Sequence, residues 1–199
     1  MDALKPLREV TEMSLAEVGA AIRKHKLSSR EATREAIERC ERWQPKLNCF
    51  IALEAETALA RADAMDREIA AGHWRGPLHG VPLAHKDMFY RAGRVSTGGS
   101  PIRKDWAAPI TATVLRRLDD AGAVDLGRLN MSEFAAGPTG HNKFYGDCRN
   151  PWHRAHITGG SSSGSGAAVA PLRRGFPSKS APVAGSGRCR RGRAPTISA

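Results

Sequence analysis

The stretch that decides the reading is Gly159-Gly160-Ser161-Ser162-Ser163-Gly164-Ser165-Gly166-Ala167-Ala168-Val169-Ala170, eight glycines and serines running directly into four small apolar residues. Three functions compete for such a loop. A flexible linker would be solvated throughout. It would have no use for the apolar run that follows, which instead favours the start of a helix. A phosphate cradle of the form Gly-x-x-x-x-Gly-Lys-Ser/Thr needs a lysine, and none follows here. A catalytic loop would use glycines for unusual backbone angles and serine hydroxyls to move protons. A helix beginning at its end would also give the loop's amide groups a fixed direction.

Working outward, the chain before this loop alternates helical and strand patterns. Ser14-Leu-Ala-Glu17 is a capping box, in which a serine oxygen accepts from the third helical amide while the glutamate reaches back. Leu15, Val18, Gly19 and Ile22 then share one helical face. A second box, Ser28-Ser-Arg-Glu31, opens a helix with Ala32, Ala36, Ile37, Cys40 and Trp43 inward, expected to end at Pro45. Leu47 to Leu53 suits a short strand. Glu54 to Ala71 follows as a helix with Ala55, Leu59, Ala62 and Ile69 on its buried side, and Gly72 stops it.

From Gly80 the texture changes. Gly80-Val-Pro-Leu-Ala-His-Lys86-Asp87 is predicted to be a strand running into a functional loop. Thr113 to Ala121 carries Val114, Leu115 and Leu118 as a helical stripe, Gly122 stops it, and Ala123 to Gly127 is a compact strand. Gly98-Gly99-Ser100 and Gly137 to Pro151 are expected to be irregular, surface-forming segments. Helices alternating with short buried strands predict an α/β fold with a helical N-terminal region.

Several motifs together resemble the amidase signature family. The glycine-serine stretch is similar to that family's central motif, Gly-Gly-Ser-Ser-x-Gly-Ser followed by alanines. Gly76-Pro-Leu-His-Gly-Val-Pro-Leu-Ala-His-Lys-Asp87, Leu126-Gly-Arg-Leu-Asn-Met-Ser-Glu-Phe134 and Tyr145-Gly-Asp-Cys-Arg-Asn-Pro-Trp152 follow the same pattern in the right order. The resemblance covers roughly residues 10 to 170. It implies a mixed sheet flanked by helices and a serine hydrolase with a Ser-Ser-Lys triad in place of Ser-His-Asp.

A lysine is a useful base only when neutral, so it must be desolvated or set beside a donor that lowers its pKa. Lys86, at the end of the apolar run Val81 to Ala84, fits that demand. Standing alone, it would read as a surface lysine after a strand. Ser161 matches the family's bridging serine, preceded in the family by a cis peptide bond. The resemblance implies that it takes a proton from the nucleophile while passing its own to the lysine. Gly159, Gly160, Ser162 and Gly164 shape the loop, as do Ser163 and Ser165. Asp87 orients its loop by hydrogen bonds, and His85 reads as a satisfied histidine. Asn130, Arg149 and Asn150 hold loops by side-chain-to-backbone bonds. No metal or organic cofactor is implied.

The pattern breaks at the nucleophile. The resemblance places that serine about two dozen residues beyond Ser161, in a segment like Gly-x-Asp-x-Gly-Gly-Ser-Ile-Arg whose amides supply the oxyanion hole. The chain there reads Ala181-Pro-Val-Ala-Gly-Ser-Gly-Arg188. Ser186 lies within one residue of the expected place. The aspartate is missing, Pro182 removes an amide and no apolar strand precedes, all of which argue against Ser186. From Pro171 the composition turns to Arg, Gly, Pro and Ser. The expectation is an amidase-type N-terminal part over 1–170 and a basic, disordered tail over 171–199, produced by a shifted reading frame. On that view the chain is inactive or nearly so.

Charge agrees with this division. The formal net charge is +11, but seven of the 31 basic residues and none of the 20 acidic ones lie in 171–199. The body keeps 24 basic against 20 acidic residues, close to balance. A basic nucleic-acid-binding protein acting through the tail is therefore a rival reading. It is disfavoured because only Phe176 stands among the arginines to stack on bases. The leading expectation is an amide-bond hydrolase acting on a small-molecule amide. The alternative within the family is the A-type subunit of a tRNA-dependent glutamine amidotransferase, which needs amidotransferase partner subunits. Met1 to Val10 lacks an apolar stretch of signal-peptide length and no later segment could span a bilayer, so a soluble, cytoplasmic protein is expected. Cys40, Cys49, Cys148 and Cys189 form no Cys-x-x-Cys pair and read as free thiols.

Overall fold

The computed structural model describes residues 13–169. The expected tail, with Ser186 and Cys189, lies outside the described residues.

Both capping boxes form. In helix α1 (Leu15–Arg23) the Glu17 amide donates to Ser14 Oγ and the Ser14 amide donates to the Glu17 carboxylate at 2.6 Å. In α2 (Ser29–Leu47) the Glu31 amide donates to Ser28 Oγ at 3.0 Å and the Ser28 amide to Glu31 at 2.8 Å. That backbone bond from Ser28, with the one from its hydroxyl, holds the Glu31 carboxyl below its ordinary value. The α2 start is also docked on the next helix, because the Ser29 and Arg30 amides both donate to Asp66, at 2.7 and 3.0 Å.

Helix α2 does not stop at Pro45. It runs on to Leu47 and ends in Asn48, which takes the left-handed conformation at φ 51° and donates its amide to Gln44 O. A proline removes one hydrogen bond, and in the last turn the Asn48 cap closes the helix around that loss.

Strand β1 (Phe50–Leu53), helix α3 (Ala55–Ala70), strand β2 (Pro82–Lys86), helix α4 (Thr113–Asp120), strand β3 (Val124–Leu129) and helix α5 (Ser163–Val169) complete the order, with short 3₁₀ turns at Pro101–Arg103 and Glu133–Ala135. The sheet order is β1-β3-β2. The central β3 pairs antiparallel with β1 and parallel with β2, so the sheet is mixed. Helix α4 supplies the crossover that a parallel pair requires.

Among the described residues most buried hydrophobics fall into two clusters. One joins Ala36, Ile37 and Cys40 of α2, Ala58, Ala62 and Met65 of α3, Ala84, Val124, Leu126 and Leu129 of the sheet, and Ala167 and Ala168 of α5. The other joins Val18 and Ile22 of α1 to Ala32, Val81, Leu83 and Ala123. Each large buried aliphatic contributes about 1.5–3 kcal/mol relative to exposure. The stripe expected on α4 is narrower than its spacing suggests: Leu115 is buried, but Val114 is 44% exposed. Gly98-Gly99-Ser100 is not surface but buried, drawn inward by the Asp87 carboxylate as set out below. Among the described residues Cys40, Cys49 and Cys148 are free and buried, and burial pushes the Cys40 thiol up to about 12. Among the same residues no helix is long and apolar enough to cross a membrane.

Candidate active site

Strand β2 delivers Lys86. All five of its residues are buried, as suits a strand covered on both sides, and Lys86 is only 5% exposed. Alternation along the strand puts Lys86 on the same side as Ala84, which packs in the cluster containing Ala167 and Ala168 of α5. The loop preceding α5 carries Ser161 to the same place. Lys86 Nζ donates to Ser161 Oγ at 2.7 Å. Burial pushes the amine below its ordinary lysine range, and among the described residues no carboxylate is paired with it to offset that effect.

The loop is held by backbone bonds from two directions. The Gly160 amide donates to Pro138 O at 2.7 Å, the Gly159 amide to Thr139 O, and the Ser132 amide to Ser161 O. Gly159 adopts φ 86°, which favours glycine, and the Gly160–Ser161 peptide is cis. A Cβ on Gly160 would lie 2.6 Å from the backbone of Gly137 and Gly140. Gly164 is pressed still harder: a Cβ there would meet Cys49 O at 2.3 Å and Asn130 N at 2.5 Å. Its amide donates to Asn130 O at 2.8 Å, locking the first turn of α5 to the ends of β1 and β3. Ser162 is half-buried and its carbonyl accepts from the Gly166 amide. Ser163 and Ser165 are fully buried with hydroxyls that have no hydrogen-bond partner among the described residues.

Asp87 orients its loop as expected. Its carboxylate is wholly buried and accepts from the Thr97 and Gly99 amides, the Thr97 hydroxyl and Arg128 Nη1. Asn130 donates through Nδ2 to Asn48 O and Gly146 O, and Asn150 donates to Ile157 O. Arg149 contributes through its main chain, whose amide donates to Leu47 O. His85 is only half satisfied: Nδ1 lies 3.0 Å from Asp125 Oδ1, while Nε2 is buried without a partner among the described residues.

Two supporting residues escaped the sequence reading. Asn142 is 2% exposed and donates to Gly99 O and Met131 O while accepting from the Phe144 and Tyr145 amides. Nothing local marks it within an irregular stretch. Asp125 did carry a signal, a charge inside the apolar run of β3, which a buried strand tolerates only when paired. Burial alone would raise its carboxyl. The hydrogen bonds from His85 and the Gly127 amide, with the charge of Arg91, outweigh that and hold it below its ordinary value.

Chemically, a buried amine in hydrogen-bond contact with a hydroxyl can exchange a proton with it. The family model described as Amidase matches residues 31–176. The A-type subunit of glutamyl-tRNA(Gln) amidotransferase from Halorhodospira halophila (strain DSM 244 / SL1) is 47% identical over 159 residues, covering 80% of this chain and 33% of that protein. The native peptide amidase of Stenotrophomonas maltophilia superposes with a TM-score of 0.75 at 37% identity, over 81% of this chain and 34% of its own. A bacterial aryl acylamidase of the amidase signature enzymes gives 0.77 at 31% identity, over 81% and 34%. The chain thus spans about a third of the length of the relatives it matches.

Proposed function

Since the chain belongs to the amidase family, we propose that Lys86 and Ser161 are the base and the bridging serine of an amide-cleaving relay. The observation that carries this reading is the 2.7 Å contact between Nζ and Oγ, made by an amine that burial holds toward its neutral form. A neutral amine has a lone pair as well as protons, so the bond can run in either sense. In the reaction a nucleophilic serine attacks the amide carbonyl and gives its proton to Ser161 Oγ. Ser161 passes its own proton to Lys86 Nζ. The protonated amine then returns a proton through Ser161 to the departing nitrogen, leaving an acyl-enzyme that water hydrolyses. The family pattern puts the attacking serine beyond residue 169, where Ser186 is the nearest match in spacing but lacks the aspartate and follows Pro182, so this chain alone is expected to be inactive or nearly so. The substrate class is a small-molecule amide.

A second reading is favoured by a specific observation. The curated relative at 47% identity is named as one component of a glutamyl-tRNA(Gln) amidotransferase, whereas the two solved amidases above stand at 37% and 31%. On that reading the same relay would release ammonia from glutamine within a complex of several subunits.

The test is a titration of Lys86 by side-chain nitrogen NMR, beside assays of an aryl amide and of glutamine. Lys86 is expected to lose its proton below the ordinary lysine value, and to move when Ser161→Ala removes its partner. A Lys86 that titrates like the exposed lysines, indifferent to Ser161→Ala, would overturn the relay. Ammonia release from glutamine that appears only with copurifying subunits selects the second reading.

A further inference from the structure

The neighbours of Lys86 in β2 face the other way, onto a cavity of about 110 Å³ between Leu83, His85, Val124 and Asp125 of the sheet and Leu115 and Leu118 of α4. Its walls are mainly aliphatic, and its polar lining is His85 and Asp125 with Arg91 and Asp119. The charges there neutralise one another. Arg91 lies 2.9 Å from Asp125 Oδ2 and is also bound to Asp119 through both terminal nitrogens. Asp125 Oδ1 takes His85 Nδ1 and the Gly127 amide. His85 is 8% exposed, lines the cavity and leaves Nε2 without a partner among the described residues. In the neutral ring a carboxylate at Nδ1 fixes the proton there, so Nε2 presents a lone pair that calls for a donor.

We propose that this cavity is a binding site for a small, largely aliphatic molecule carrying one hydroxyl, whose O–H donates to His85 Nε2. A cavity of about 150 Å³ is known to hold benzene, so this one has room for roughly four or five non-hydrogen atoms. A pure hydrocarbon would fill the walls but leave the nitrogen unpaired, which is costly for a buried acceptor. A charged molecule would have to shed its hydration among leucine side chains. Water alone would satisfy Nε2 but leave the aliphatic walls without contacts. The site stands on a different observation from the Lys86–Ser161 relay and survives the loss of that reading.

The test uses the unchanged chain and two isomeric probes, isobutanol and isopropyl methyl ether, followed by side-chain nitrogen NMR of the histidines. Isobutanol is expected to shift His85 Nε2 saturably, and the ether, which lacks a donor, to bind roughly three- to ten-fold more weakly. Leu115→Phe, which fills the cavity, is expected to abolish the alcohol response. If that variant does not fold, the isomer pair on the unchanged chain still decides. A His85 ring carrying protons on both nitrogens in the free protein, no saturable shift, or equal binding of the two isomers would each overturn the proposal.

Discussion

At the scale of single residues, the most telling property is the cost of keeping an amine away from water. Burial lowers the folded-state pKa of Lys86, so the folded protein releases that proton more readily than the unfolded chain does. A group depressed in this way contributes its full stability above its unfolded value, about 10.4 for lysine, and loses it as the pH falls toward the folded value. At neutral pH the lysine therefore weakens the fold relative to an uncharged residue of similar shape. Lys86→Met is expected to raise the urea midpoint at neutral pH, with the advantage fading as the pH approaches the ordinary lysine range. A pH-independent difference, or a variant weaker at neutral pH, would show that Lys86 is better solvated than its 5% exposure implies.

At the scale of elements, helix ends explain both what could be read from the sequence and what could not. The two capping boxes were legible because every atom they need lies within four consecutive residues. The run past Pro45 was not, since it depends on Asn48 closing the helix and donating to Tyr145 O, 97 positions away. The exposed Val114 and the inward Gly98-Gly99-Ser100 failed for the same reason, being decided by which neighbours arrive from elsewhere. The α2 start allows a graded prediction. Ser28→Ala is expected to cost about 1 kcal/mol, the usual loss for a serine cap. Glu31→Gln should cost less. Its effect should be present at neutral pH and vanish on acidification through the glutamate range, because the bonds from Ser28 depress the Glu31 pKa. Thermal melts of both variants across that range would measure it. A Glu31→Gln penalty that persists in acid would mean the charge on Glu31 contributes nothing to the cap.

At the scale of the whole molecule, the candidate site is a meeting of two segments 75 positions apart, and no local pattern in either announces the other. Their pairing was readable only through the family resemblance; physically it is enforced where α5 presses on the sheet. Two glycines two residues apart on that helix put this to a sharp test. A methyl group on Gly164 would run into the main-chain atoms of Cys49 and Asn130, which cannot yield as a flexible side chain can. A methyl group on Gly166 would meet nothing within 4 Å among the described residues. Gly166→Ala is therefore expected to stabilise by up to about 1 kcal/mol, the ordinary gain in helix propensity. Gly164→Ala is expected to destabilise by about 1–3 kcal/mol, as overpacking does. It should also lift the loop that carries Ser161 and return the Lys86 titration toward that of an exposed lysine. Urea unfolding and lysine titration of the two variants, side by side, measure both effects. Should the two alanines behave alike, the contact between α5 and the ends of β1 and β3 would not be what brings the amine and the hydroxyl together.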